Sequence, residues 1–177
     1  MDGQEAPNKL VANLPYAVAA TVVLDYFQRI ESRESATVMV QKEAAVRITA
    51  APGTRECGAI SAAVWYYSTP KLLFPVSRGS FMPAPAVDSA VIRLDLPREL
   101  PEDLPPREDF FAVVRAGFGQ RRKTMLNSLS AGLRWEKDAT RALLTAAGIA
   151  ENARAEQVTL EQWKALTRAY FSMKKSR

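Results

Sequence analysis

The sequence predicts an α/β chain: the second half of a doubly wound sheet, followed by a small all-helical domain. Three observations predict it. Over the first 96 residues, short apolar, β-branched runs alternate with longer apolar runs free of Gly and Pro. Two strand candidates then follow one another with no helix between them, as an antiparallel edge requires. Beyond residues 97–106, with four prolines in ten residues, everything reads helical.

Residues 9–13 (Lys-Leu-Val-Ala-Asn) read as a short buried strand, ending where Pro15 interrupts the ladder. Residues 16–30 read as a helix packed on a sheet, and 36–41 as a second buried strand. Residues 42–50 look helical until Pro52-Gly53 stops them. A further helix of small and aromatic residues covers 59–67. Strand candidates 71–76 and 89–96 enclose the loop 77–88, which carries Phe81, Pro83 and Pro85. Residues 97–106 are the expected linker, so the expected domains are 1–96 and 107–177. Helices are predicted at 108–118, 122–131, 137–147 and 160–173. Gly148 is placed to cap the third, and Thr159, with Gln162 three residues on, to cap the fourth.

Composition narrows the chemistry. The chain of 177 residues has one cysteine, Cys57, and no histidine. An internal disulfide, a Cys/His zinc site and imidazole catalysis are therefore excluded, and no metal site is expected. Cys57 lies in the loop-like run 52–58 and reads as incidental. No run approaches the roughly 18 apolar residues of a membrane helix, and Met1-Asp2-Gly3-Gln4-Glu5 lacks the features of a signal peptide. No membrane partner and a cytoplasmic location are expected. Charge is unevenly spread: residues 1–104 balance at −2, and residues 105–177 at +7. A basic second segment suits a polyanion, and it equally suits a solvated helical surface.

A complete doubly wound nucleotide-binding half opens with a strand, a Gly-rich turn and a helix N-terminus. No such run is present, and Gly53 and Gly58 lie in a helix-connecting loop. The sheet is thus expected to have too few strands, with the chain truncated or completed by another.

Asn13-Leu14-Pro15-Tyr16 follows the first predicted strand directly, where an open α/β sheet binds ligands. The lone pair of an adenine amine is delocalised into the ring, so the amine is a poor nucleophile. Two oxygen acceptors on its two hydrogens favour a pyramidal nitrogen. The Asn13 side-chain carbonyl and the Leu14 backbone carbonyl supply such a pair. Pro15 restricts the residue before it, and Tyr16 offers a face for a flipped-out base. The tetrapeptide also reads as an ordinary strand-to-helix turn. Arg121-Arg122-Lys123, with Arg115 nearby, forms a cationic cluster at a predicted helix start, where it opposes the helix dipole. Such charges suit phosphates, as they suit solvent. Lys42 and Arg47 extend the basic track or pair with Glu43.

Four runs, in order along nearly the whole chain, carry a family resemblance. Asn13–Tyr16 resembles motif IV of the amino-methyltransferases. Residues 40–47 (Val-Gln-Lys-Glu-Ala-Ala-Val-Arg), the loop and strand 79–91, and residues 116–129 (Ala-Gly-Phe-Gly-Gln-Arg-Arg-Lys-Thr-Met-Leu-Asn-Ser-Leu) are similar to signatures of the KsgA-type small-subunit rRNA adenine dimethyltransferases. The resemblance implies the C-terminal half of a Rossmann-like, S-adenosylmethionine-dependent methyltransferase sheet, then an rRNA-binding domain. It implies that Asn13 touches both the target amine and the methyl donor, S-adenosyl-L-methionine, and that the Leu14 carbonyl holds the amine. Tyr16 stacks on the adenine and Phe81 faces its other side. Arg115, Arg121, Arg122 and Lys123 meet RNA. The implied partner is small-subunit rRNA in a pre-30S particle, and the full-length enzyme is expected to be a monomer. The family's donor-binding motifs are absent, so this chain alone is expected to bind the donor poorly. Two alternatives stand beside this: a non-catalytic rRNA-binding or ribosome-assembly module, and a large-subunit rRNA adenine methylase.

Overall fold

A computed structural model describes residues 7–15, 18–29, 34–97, 105–120 and 122–176. The expected linker therefore lies largely outside the described residues. The chain divides into two compact units, Met1–Thr49 with Val64–Leu100, and Ala50–Ala63 with Pro101–Arg177.

The first unit is built on a four-stranded sheet in the order β1-β2-β4-β3. β1 (Lys9–Asn13) runs parallel to β2 (Ser35–Gln41). β4 (Ser89–Asp95) is antiparallel to both β2 and β3 (Thr69–Val76). β2 is covered on both edges, and its Ala36, Val38 and Val40 are fully buried, as the apolar run predicts. β1 is not the buried strand expected of it. It lies at the sheet's edge, and Val11 is 80% exposed. β3 is the other edge, and it includes Pro70 and Pro75, paired with Leu94 and Ala90. Proline lacks the amide for a second neighbour, so an edge tolerates it.

α1 (Ala19–Arg29) buries Ala19, Val23 and Phe27, one stripe at four-residue spacing. It starts three residues later than predicted, after a turn in which the Val18 amide donates to the Pro15 carbonyl at 3.1 Å. The Tyr26 hydroxyl donates to the carbonyls of Asn8 (2.9 Å) and Ser35 (3.2 Å), tying the helix to the starts of β1 and β2. α2 (Lys42–Thr49) begins at the residue after β2, buries Ala45 and Ile48, and packs on β3 and β4. α3 spans Ala59–Tyr67, and its Tyr67 ring lies 5.6 Å from that of Phe27.

The second unit is helical: α4 (Arg107–Phe118), α5 (Met125–Leu133), α6 (Lys137–Ala146) and α7 (Leu160–Lys175). Phe110, Val113 and Val114 of α4 are buried, as are Met125 and Leu129 of α5, Leu143 and Leu144 of α6, and Trp163 and Leu166 of α7. α4 packs on α5 and α7, and α6 on the same two helices. Each such side chain contributes about 1.5–3 kcal/mol by burial. The caps follow the sequence. Gly148 adopts φ +63° just beyond α6, and Thr159 and Gln162 form a reciprocal capping box on α7. α5 starts at Met125 instead of residue 122, because Gln120–Lys123 closes a turn in which the Lys123 amide donates to the Gln120 carbonyl at 2.8 Å. Arg122 and Lys123 therefore precede the helix rather than opening it, and the conflict with its dipole is milder than predicted.

Two glycines in the 116–132 stretch admit close helix contact. A Cβ on Gly117 would lie 2.5 Å from the Trp163 ring, and one on Gly132 would lie 2.6 Å from the Ala116 Cα. Backbone cannot rotate aside as a ring can. Gly132→Ala is expected to destabilise the chain by about 1–3 kcal/mol despite alanine's better helix propensity. Gly117→Ala should cost less, with denaturant unfolding as the measurement.

Cys57 is buried, and desolvation raises its thiol pKa. The hydrogen bond and charge of Asp109 raise that of Lys174, with Nζ 3.0 Å from the carboxylate. Both groups hold their protons longer when folded, so both make stability fall as pH rises. The unfolded thiol ionises above about pH 8.5 while the folded one resists. The Lys174 contribution is complete below about pH 10.4 and is lost above it. Denaturant midpoints followed from neutral to roughly pH 11 should decline. Cys57→Ala should flatten the first part of the decline and Asp109→Asn the last.

Candidate functional site

The carboxyl ends of the parallel strands β1 and β2 lie at the same end of the sheet as the start of antiparallel β4. At that end the chain forms a cavity of about 320 Å³, lined by Asn13, Leu14, Pro15, Met39, Phe81 and neighbours of the 77–88 loop. Its size falls in the usual range for small-ligand sites, about 300–1,000 Å³.

Each wall has a local cause. Asn13 is the last residue of β1, and its side chain is exposed. The Leu14 amide donates to the Met39 carbonyl at 3.0 Å, which carries the ladder one residue past the strand. With that amide used and its side chain buried, Leu14 presents its carbonyl. Among the described residues, neither this carbonyl nor the Asn13 side chain has a hydrogen-bond partner. Two adjacent oxygens thus remain available to accept from an amine. Pro15 follows, exposed, and its own carbonyl is occupied by Val18.

Phe81 arrives on the 77–88 loop, which starts with a single 3₁₀ turn, Arg78–Ser80, capped by the Ser77 hydroxyl. The Phe81 amide donates to the Arg78 carbonyl at 3.3 Å. Asp88 ties the loop down at its far end. Its carboxylate accepts the Arg78 amide and its carbonyl accepts the Lys42 amide, each at 3.0 Å. The Met82–Pro83 peptide is cis.

The structure thus brings together four of the five residues assigned to catalysis, Asn13, Leu14, Pro15 and Phe81. The fifth, Tyr16, lies outside the described residues. Met39 and Ser89 were missed. Met39 was read as strand core, but Met39 is the Cα partner of Asn13, so a register count from Asn13 reaches it. Ser89, buried at the mouth of β4, gave no signal of its own.

Of the cations, Arg115, Arg122 and Lys123 belong to the second unit, are exposed, and have no ion pair among the described residues. Arg121 lies outside the described residues. Lys42 is exposed and likewise without an ion pair among the described residues. Arg47 is held by Glu43 at 2.6 Å, one turn away on the same helix. No described helix is long and apolar enough to cross a membrane.

The chain is similar to several known proteins. The chain is 46% identical over 160 residues to ribosomal RNA small subunit methyltransferase A of Alkaliphilus oremlandii (strain OhILAs), covering 89% of this chain and 55% of that protein. It is 42% identical over 168 residues to the protein of the same name from Dehalococcoides mccartyi (strain CBDB1), covering 95% of this chain and 57% of that one. The chain spans about half the length of the curated relatives it matches. Its fold resembles the crystal structure of a dimethyladenosine transferase from Plasmodium falciparum, with a TM-score of 0.75 at 19% identity, over 96% of this chain and 70% of that one. It also resembles the 23S rRNA methyltransferase ErmE, with a TM-score of 0.65 at 25% identity, over 94% and 67%. The α/β sheet with its helical companion is the Rossmann-like methyltransferase architecture. A sequence model of ribosomal RNA adenine dimethylases matches residues 2–171, and the chain belongs to that family.

Proposed function

We propose that this chain supplies the adenine-facing and RNA-binding parts of an enzyme that dimethylates adenine amines near the 3′ end of small-subunit rRNA, during ribosome biogenesis in the cytoplasm. The observation that carries the reading is the cavity in which Asn13, Leu14 and Phe81 meet. A flipped adenine entering it would give its two amine hydrogens to the Asn13 side-chain oxygen and the Leu14 carbonyl, leaving the nitrogen lone pair directed outward. Phe81 would cover one face of the base and Tyr16 the other. Binding geometry and fixed dipoles would provide the catalysis, with no histidine and no carboxylate at the amine.

S-adenosyl-L-methionine is the methyl donor of this reading, and it supplies an electrophilic methyl group when bound. The cavity fits only the amine side of the reaction. In this reading Asn13 would touch the donor as well as the amine. No carboxylate or glycine turn lines it among the described residues. We therefore assign this chain no donor-binding step of its own. That lining also favours a second reading for the chain by itself, a non-catalytic rRNA-binding module of the assembling pre-30S particle. Methyl transfer by this chain joined to the portion of the Alkaliphilus oremlandii relative that it does not match separates the two. Transfer favours the enzyme, and its absence favours the module.

Residues 107–177 serve in this reading as the rRNA-binding domain, joined through the proline-rich stretch 97–106. Arg115, Arg121, Arg122 and Lys123 take phosphates, with Lys42 a further contact near the cavity. Arg47, engaged by Glu43, is a weaker candidate.

Joined to the portion of the Alkaliphilus oremlandii relative that the chain does not match, the wild-type sequence should methylate unmethylated small subunits. Asn13→Ala should reduce the rate about a hundredfold, the scale on which a single fixed polar contact in a reactive site acts. Equal rates would remove Asn13 from the reaction. Arg122→Gln with Lys123→Gln should weaken rRNA binding and reduce the slope of log affinity against log salt by about 0.7–0.9 per lost phosphate contact. An unchanged slope would return both residues to the solvated surface.

A further inference from the structure

We propose that a second cavity beside the first holds the nucleotide next to the target adenine in the same RNA strand. The inference rests on the base-pocket reading above and deepens it. This cavity is larger, about 540 Å³, and its walls include Lys42, Val46, Arg78, Val87 and Asp88.

The two cavities share structure. Phe81, Pro83 and Pro85 of the 77–88 loop line the first, and Arg78, Ala86, Val87 and Asp88 of the same loop line the second. Met39 lines the first and Gln41 the second, two residues apart on β2. That separation is about 6.6 Å along the strand, within reach of one extended nucleotide step. A strand whose adenine occupies the first cavity would bring its neighbour to the second.

The lining suits a nucleotide. Val46 and Val87 are 39% and 43% exposed and together offer an apolar surface for a base face. The Gln41 amide can meet a base edge. Lys42 brings an ammonium without an ion pair among the described residues, placed for a phosphate. Arg78 spends one guanidinium N–H on the Ala86 carbonyl at 3.4 Å. Of the two carboxylates at the cavity, Glu43 is paired with Arg47, and Asp88 accepts the Arg78 amide through one oxygen. A ligand thus meets an apolar patch together with the cations Lys42 and Arg78 and the Asp88 carboxylate. The apolar surface with its two cations suits a base with its phosphate.

The test is a titration of the 177-residue chain, followed by amide NMR signals, with AMP and with the dinucleotides ApU and UpA. AMP carries adenine and phosphate, so any gain with a dinucleotide reports the second base. AMP should move the amides of Asn13, Leu14 and Phe81, and that of Lys42 through its phosphate. At least one dinucleotide should also move Gln41 and Val87 and bind about tenfold more tightly, the gain of one further base contact. Val46→Trp, at an exposed helix position, fills the second cavity. It should cancel that gain and leave AMP binding unchanged. If AMP binds at Asn13 and Phe81 but neither dinucleotide binds more tightly or reaches the second cavity, the inference is overturned and the base pocket stands. If AMP moves none of these amides, the base pocket falls and the inference with it.

Discussion

β2 pairs with β1 in parallel on one side and with β4 antiparallel on the other. This double pairing means that one end of the sheet collects the exits of β1 and β2 and the entrance of β4. A polar residue ending β1 and an aromatic residue on the loop before β4 are 68 positions apart in sequence, from Asn13 to Phe81, yet they share a cavity. The register decides the detail. Because Asn13 lies opposite Met39 and Gln41 opposite Ser89, the loop must arrive over the strand ends. Asp88 then fixes it there with one bond to the start of α2 and another to the start of the 3₁₀ turn.

The acceptor pair at the end of β1 follows from economy of hydrogen bonds. A strand that simply stopped at Asn13 would leave the next amide unpaired. Here the Leu14 amide still bonds to β2, the Leu14 side chain packs inward, and the chain turns at Pro15. The carbonyl of Leu14 is left without a partner among the described residues, and Leu14 and Asn13 both line the cavity. Holding both oxygens on the frame of a sheet costs little further ordering at the moment of binding.

Much of this was legible in the sequence, for definite reasons. The ends of β1 and the bounds of α3 were readable because Pro15 and the Pro52-to-Gly58 run punctuate the chain. The caps at Gly148 and Thr159 were readable because only a few residue types satisfy those positions. The exposure of β1 was not readable, since an apolar run does not reveal whether a strand has one neighbour or two. The start of α5 was misjudged because Arg122 and Lys123 are good helix formers, whereas the turn closed by the Gln120 carbonyl depends on its surroundings. In the site, Asn13, Leu14 and Phe81 carried recognisable chemistry. Met39 and Ser89 did not, because their part in the cavity comes from cross-strand register alone.

The contact between Gly117 and Trp163 binds two distant positions to a common fate. The missing side chain at 117 is the space that the indole fills, and the ring in turn lies against Phe118 at 5.5 Å between centroids. A residue bulkier than alanine at 117 needs the indole to give up its place, and a smaller ring at 163 would leave a void beside Gly117. Relatives that depart from glycine at the first position should therefore depart from tryptophan at the second.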